Sequence, residues 1–201
     1  MFSTRSIFTI IFFARCVKLA AQDVDVGATG CYDLLISERT YDLYGIGGFI
    51  SLKLHEPGLE LVFSGSHMKG RVEYEAEGYF KTHSKTNFAV GLLKGLTHET
   101  KISVQIGPEV GLTFLNTSVG GLVSSWISGT ESNGLDLGLH LRLGWIWSTN
   151  WRVVGDVIPR YLVVLRENRT EGFQPLYSGN VVSLGCRIGI AYSLPSKPQA
   201  Q

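Results

Sequence analysis

The feature that most constrains this chain is an unbroken alternation of residue types over residues 135–148. In this segment, LDLGLHLRLGWIWS, every odd position is leucine or tryptophan, and most even positions are polar or glycine. Successive side chains of an extended strand point to opposite faces, so the pattern predicts a strand with one apolar face. Strands of soluble proteins usually have about 5–6 residues, whereas a membrane-spanning strand needs roughly 9–11. The segment is therefore long enough to cross a membrane as a β-strand.

Seven other segments are predicted to be strands. They are residues 24–36, 41–55, 59–69, 87–96, 101–116, 151–166 and 177–194. In six of them apolar and polar residues alternate, but the segment 87–96, NFAVGLLKGL, leaves open which of its faces is the apolar one. Eight strands can close into a barrel with no exposed edge, which a lipid environment requires.

The connections between these strands alternate in length after a short first one. Tight turns are predicted around Pro57, Glu99 and Asn150, and longer connections at 70–86, 117–134 and 167–176. Outer-membrane barrels have short periplasmic turns and long external loops. The chain is therefore predicted to be an all-β protein, an eight-stranded antiparallel up-and-down transmembrane β-barrel. Residues 71–82 also alternate, and we interpret them as a loop or strand extension because single-chain bacterial barrels have even strand numbers.

The N-terminus has the features of a secretory signal peptide. Arg5 supplies a positive charge, residues 7–14 an apolar stretch, and residues 19–21 a small-residue cleavage context. An amphipathic segment or a misassigned start is the alternative interpretation. Removal of residues 1–21 leaves a predicted barrel domain of residues 22–194 and a polar C-terminal tail of residues 195–201.

The polar faces of the predicted strands carry acidic and basic residues in equal number, so these charges can pair inside the barrel. The residues predicted to lie in the interior are Lys101, Glu109, Asp136, His140, Arg142, Arg152, Asp156, Arg160 and Arg187. Asp25, Asp33, Lys53 and Glu60 lie on the same faces. Glycines recur there as well, and we interpret them as making room for long charged side chains, because an eight-strand interior is narrow.

The prolines, the cysteines and some aromatic residues lead to three further predictions about the barrel wall. Pro108 and Pro159 lie within predicted strands, where proline cannot donate a hydrogen bond to the neighbouring strand. We expect a bulge at each, which would accommodate the missing hydrogen bond. Cys31 and Cys186 are assigned to opposite faces of their strands, which excludes a disulfide. The aromatic residues near the turn at Asn150 are expected to lie at a membrane interface, where aromatic girdles form. They are Trp145, Trp147, Trp151 and Tyr192.

Three segments, IGPEVGLTFL, LDLGLHLRLGWIW and VVSLGCRIGIAY, resemble the outer-membrane β-barrel domain family of Gram-negative bacteria, which includes PorT-like and OmpA-like small barrels. The resemblance covers about residues 23–194. It implies an integral protein of the cell outer membrane, in contact with outer-membrane lipid and lipopolysaccharide. It implies no catalytic residues.

The sequence contains little that indicates chemistry. A net charge of +1 argues against a nucleic-acid partner, and no metal-ligand spacing or phosphate-binding motif occurs. No cofactor, metal site or catalytic residue is predicted, and the protein is not expected to be an enzyme. His140 and Asp136 share a face but lie about 13 Å apart at ~3.3 Å per residue. His140 is therefore interpreted as a satisfied interior histidine.

The leading functional hypothesis is a monomeric structural or surface-interaction barrel with a filled polar interior. The loop 117–134 is the candidate contact surface for an external partner, unless it packs on its own barrel rim. Its apolar residues are Val119, Leu122, Val123, Trp126 and Ile127. Three other functions remain open: a narrow pore or transporter for small solutes, a lipid A-modifying barrel enzyme, and a soluble ligand-binding barrel.

Overall fold

The computed structural model of the chain describes residues 21–36, 40–54, 56, 58–74, 78–97, 101–121, 127–169 and 181–194. They form eight strands, each antiparallel to the next, and the last strand pairs with the first to close a barrel. The predicted eight-stranded antiparallel barrel is confirmed. The strands are β1 (Ala21–Ile36), β2 (Thr40–Leu54), β3 (Leu59–Tyr74), β4 (Tyr79–Gly95), β5 (Ile102–Gly121), β6 (Ile127–Ser148), β7 (Trp151–Arg169) and β8 (Val181–Leu194).

The two ends of the barrel differ. We call the end with the connections after β2, β4 and β6 the turn end, and the opposite end the hairpin end. At the hairpin end, β3 and β4 stay paired up to Tyr74 and Tyr79, so residues 71–74 and 79–82 extend these strands and form no ninth strand. β5 and β6 stay paired up to Gly120 and Ile127.

The predicted loop 117–134 is therefore wrong for residues 117–121 and 127–134, which are strand. Beyond the apolar belt the outward face carries polar side chains such as Asn116 and Glu131, so the alternation of apolar and polar residues fades although the backbone pairing continues. β7 also continues to Arg169, three residues beyond its predicted end. Residues 122–126 and 170–180, which include the predicted start of the last strand, lie outside the described residues.

The face of the barrel that points away from its axis is apolar. Among the described residues, 28 large apolar side chains are exposed, including Val110, Leu139, Leu143 and Ile188. Soluble proteins rarely expose contiguous apolar patches larger than a few hundred Å², and an outward apolar band is the surface that a transmembrane barrel presents to lipid. This distribution disfavours a soluble barrel with an apolar lining. No helix in the described part of the chain is long and apolar enough to cross a membrane.

Pro108 and Pro159 each lie beside a gap in a backbone ladder. Residues 92 and 93 have no partner in the β4–β5 ladder, and residues 139 and 140 have none in the β6–β7 ladder. The register is the same on both sides of each gap, so the expected bulges are wrong and the ladders are interrupted without an extra residue. Because proline has no N–H to donate, it accounts for the interruption.

Apolar clusters lie toward both ends of the interior, and most of the buried charges lie between them. Near the hairpin end the cluster contains Cys31, Leu35, Tyr41, Leu43, Met68, Leu115, Leu162 and Val181. Near the turn end it contains Phe49, Val62, Leu93, Val154 and Ala191. Cys31 faces inward and Cys186 alternates with the inward residues of β8, so the two thiols stay apart and are free, as predicted.

Candidate functional site in the barrel interior

Eight of the nine residues predicted in the interior have their side chains on the inner face of the barrel. Lys101 is the exception, because it lies in the connection before β5 and is exposed. β5 begins one residue later, at Ile102. The alternation that assigned Lys101 to the interior therefore does not extend to it.

The centre of the interior is an ion cluster built from neighbouring strands. Arg142 donates from Nε and Nη2 to the two carboxylate oxygens of Asp156, at 2.8 and 3.1 Å. Arg160 donates from Nε and Nη2 to Oε1 of Glu109, at 3.0 and 2.8 Å. His140 lies between the two carboxylates: its Nδ1 is 3.0 Å from Glu109 and its Nε2 is 3.2 Å from Asp156. Two arginines and one histidine thus share two acidic residues.

Toward the turn end, the cluster continues to Glu60. Its carboxylate accepts hydrogen bonds from the Ser51 hydroxyl and from Nε2 of Gln105, the latter at 2.6 Å. Arg142 Nη1 lies 3.6 Å from the same carboxylate, and the guanidinium stacks 4.3 Å above the Phe49 ring. Arg142 therefore joins the ionic centre to the apolar cluster near the turn end. At this end a separate pair joins Arg152 to Asp25.

Toward the hairpin end, a second group forms around Lys85. Its ammonium lies 2.7 Å from Asp33 and 3.8 Å from Asp136. Asn87 donates to Asp136 at 2.7 Å, and the Thr113 hydroxyl donates to the same carboxylate. Each charged side chain of this group therefore has a partner on another strand.

Lys85 and Asn87 are the functional residues that the sequence reading missed. They are on the inner face of β4, which begins at Tyr79. Lys85 was missed because the predicted connection 70–86 is wrong for residues 79–86, which are strand, and Asn87 because the faces of the segment 87–96 were left open. The available signal was size, because Ala89 and Gly91 continue the inward face while Phe88 and Val90 point outward. Small residues alternating with large apolar ones mark the inward side of a narrow barrel.

The charged side chains at the centre of the interior are inaccessible to bulk water. The exposed fraction is 0% for Lys85 and His140 and 1% for Arg142. Burial of a charge is costly unless it is paired and hydrogen-bonded, and the contacts above supply that pairing. His140 and Asp136 are not in contact, and the carboxylates that flank His140 come from β5 and β7. No lipid can reach the fully buried imidazole of His140, which argues against a lipid-modifying site at this residue.

Interior glycines have two uses. A Cβ on Gly107 would lie against the Leu92 carbonyl, so this glycine permits close approach of two strands. A Cβ on Gly185 would lie 2.5 Å from Nη1 of Arg160, so this glycine provides space for the guanidinium. The expectation that glycines make room for charged side chains holds at Gly185.

We expect Gly185→Val to destabilise the barrel by about 1–3 kcal/mol, the usual cost of overpacking. The added methyl groups would displace the Arg160 guanidinium from Glu109. Gly155→Val is the control, because a Cβ there meets no atom closer than 4.0 Å. Urea unfolding in lipid vesicles, followed by tryptophan fluorescence, measures both. Equal midpoints for the two variants would show that Gly185 provides no needed space.

The predicted interfacial aromatics gather near the turn after β6. Trp145, Trp147 and Trp151 are exposed on the outward face. Tyr192 packs edge-on against Trp151, with 4.9 Å between ring centroids. These positions suit a headgroup boundary, which remains a prediction for this chain.

The residues proposed for an external contact separate into two groups. Val119 is buried on the inner face of β5, so it cannot contact a partner. Leu122, Val123 and Trp126 lie outside the described residues, and Ile127 is the first residue of β6. No group of His, Cys, Asp or Glu residues in the described ranges could hold a metal ion.

Comparison with known proteins supports the fold. Neither a protein-family model nor a curated protein matches this chain. Neisserial surface protein A (NspA) is similar with a TM-score of 0.59 and 14% identity, over 84% of this chain and 96% of that one. Ail, the attachment invasion locus protein of Yersinia pestis, in complex with the heparin analogue sucrose octasulfate, gives 0.59 and 9%, over 86% and 99%.

A third similar structure is a major outer membrane protein from Thermus thermophilus. It has a TM-score of 0.59 and 15% identity, over 86% of this chain and 98% of that chain. At these identities the likeness concerns the fold. The chain has the fold of the small outer-membrane β-barrels.

Proposed function

We propose that this protein is an integral β-barrel of the cell outer membrane with a sealed interior and a structural or surface-interaction role. The proposal includes export by a signal peptide of residues 1–21 and membership of the outer-membrane β-barrel domain family. The observation that carries it is the complete burial of Lys85 and His140. A water-filled channel would leave its lining charges accessible to water. Here Lys85 contacts Asp33 and Asp136, and His140 contacts Glu109 and Asp156.

The length of the strands supports a role for the outward surface at the hairpin end. β5 and β6 have 20 and 22 residues, and roughly 9–11 suffice to cross a membrane. The additional length carries exposed polar side chains such as Asn116, Glu131 and Asn133. The outward face of these extended parts of β5 and β6 replaces the loop 117–134 as the candidate contact surface for an external partner or for lipopolysaccharide.

The test of the sealed interior is conductance in planar lipid bilayers. Heat-modifiable gel migration first establishes that the purified protein is a folded barrel. We expect no steady channels from the wild-type protein at pH 6, because its interior charges are paired with one another and buried. Steady wild-type channels that disappear in Arg142→Ala would overturn the proposal.

The second candidate function is a narrow pore for small solutes. The observation in its favour is that paired charges follow one another from Asp25 and Arg152 at the turn end to Lys85 and Asp33 nearer the hairpin end. A rearrangement of these pairs would open a polar path. The conductance experiment separates this function from the first.

A further inference from the structure

His140 has a geometry that fits one protonation state. Both ring nitrogens lie within 3.2 Å of a carboxylate oxygen, one from β5 and one from β7. A neutral imidazole carries one N–H and one lone pair, so its lone pair would face a carboxylate oxygen. An imidazolium places one positive charge within 3.2 Å of both carboxylates. The contacts with Glu109 and Asp156 therefore match the charged form.

The charge balance of the interior leads to the same conclusion. Among the described residues, the inner face holds six carboxylates that are buried and five cations that are buried or nearly so. A neutral His140 would leave one negative charge in excess, and a charged His140 brings the sum to zero. The carboxylates are Asp25, Asp33, Glu60, Glu109, Asp136 and Asp156, and the cations are Lys85, Arg142, Arg152, Arg160 and Arg187.

Charged residues of four strands surround His140. β5 contributes Glu109, and β7 contributes Asp156 together with Arg160. β8 contributes Arg187, which is opposite Asp156 in the ladder, and β6 itself adds Arg142. From β4 the nearest position to Nδ1 is Gly91, which brings no charge. Arg142 contacts Asp156 and Arg160 contacts Glu109, whereas His140 contacts both carboxylates.

Two backbone ladders of the barrel wall are interrupted at the same place. His140 and Leu139 have no partner in the β6–β7 ladder. On the other side, Gly107 and Pro108 pair with them but are without partners in the β4–β5 ladder. Segments with few backbone hydrogen bonds open at a lower free energy than fully paired ones. A disturbance at His140 would therefore act on a part of the wall where two ladders are interrupted.

We propose that His140 is a proton-controlled lock: the barrel interior is sealed while the imidazole is charged, and it opens to water when the imidazole loses its proton. The inference rests on the proposed sealed interior. Loss of the proton leaves Glu109 and Asp156 facing an uncharged ring in a dry environment, next to the two interrupted ladders. The interior then admits water to solvate the carboxylates. The sealed state is present at low pH and is lost as the pH rises.

The direction in which pH changes the stability of the barrel follows from proton linkage. Above about pH 6.5 an imidazole in the unfolded chain is mostly neutral, whereas the sealed barrel of this proposal contains a charged His140. The folded state then binds one proton more than the unfolded state, so raising the pH favours unfolding. The unfolding equilibrium constant rises by up to roughly tenfold per pH unit, the slope set by one proton.

The experiment compares wild type, His140→Gln and His140→Arg in lipid vesicles between pH 6 and pH 10. Urea unfolding is followed by tryptophan fluorescence, and conductance is recorded in planar bilayers. We expect the wild type to lose stability and to begin conducting as the pH rises. His140→Gln should be weakened and conducting at every pH, and His140→Arg should stay closed at every pH. His67→Gln is the control, because His67 is exposed and contacts Thr86 at 2.8 Å.

The outcomes separate this inference from the proposed function. Wild-type channels already present at pH 6 would overturn the sealed interior itself. A wild type that is closed at pH 6 and unchanged at pH 10 would overturn the lock and leave the sealed interior standing. If His140→Arg does not fold, the slope in His140→Gln decides, since a full pH dependence retained without the histidine contradicts the proposal.

Discussion

Replacing Asp156 by alanine is expected to destabilise the barrel by about 3–5 kcal/mol, the cost of removing one partner from a buried ion pair. Asp156 accepts two hydrogen bonds from Arg142 and contacts Nε2 of His140. The substitution leaves both cations buried: Arg142 loses two hydrogen bonds, and His140 loses one of its two carboxylate contacts. Urea unfolding in lipid vesicles, followed by tryptophan fluorescence, measures the change.

Asp23→Ala is the matched control for this prediction. Asp23 pairs with Lys53 at 3.4 Å, but both side chains are 40% exposed at the turn end. Exposed ion pairs contribute about 0–1 kcal/mol, so the control should be close to wild type. Equal losses in the two variants would mean that the central cluster is solvated, contrary to its burial.

Replacing Leu139 by arginine is expected to cost about 2–4 kcal/mol, the penalty for a cation near the middle of the lipid-facing surface. Leu139 is 49% exposed on the outward face of β6, midway between Trp145 and Asn133. Arginine there would have to extend to a headgroup region or draw water into the bilayer. Unfolding and refolding in vesicles of defined lipid measure the difference from wild type.

Asn133→Arg tests the same strand and face six residues toward the hairpin end. Asn133 is exposed among polar neighbours beyond the apolar belt, where arginine should cost about 0–1 kcal/mol. A large penalty at Asn133 and none at Leu139 would show that the lipid bilayer surrounds the barrel nearer its hairpin end than we expect. Equal small effects would indicate that the outward apolar face does not meet lipid.

The sequence was sufficient to predict the architecture because lipid imposes a strict pattern. In β6 the leucines face outward and Asp136, His140 and Arg142 face inward, as their spacing predicts. The predicted turns near Pro57, Glu99 and Asn150 fall between strands. Period-2 alternation carries both the element type and the face, so one signal fixes two properties of each strand.

Partners inside the barrel could not be predicted, because they depend on register between strands. His140 contacts Glu109 and Asp156, which are 31 and 16 residues away in the sequence. Alternation gives the face of each residue but not its height relative to the next strand. The same limit applies to the partner of Lys85, because Asp33 lies on β1, far around the barrel.

The apolar clusters at the two ends of the interior were missed for another reason. Leu35 and Leu43 are apolar residues on the inner face, close to the hairpin end. In a strand that carries apolar residues on both faces, alternation no longer separates the two sides. Only the closed structure shows that these side chains pack against one another across the interior.

The ladder between β1 and β8 sets the order in which the chain can fold. Val24 pairs with Leu194, so the first and last strands of the barrel close on each other. The other seven ladders join strands that follow one another in sequence and can form one after another. This last seam joins the most distant parts of the chain, and contacts of such high sequence separation form slowly. A barrel stalled before this step exposes two unpaired edges, so the interval before closure is when the protein is most prone to aggregation.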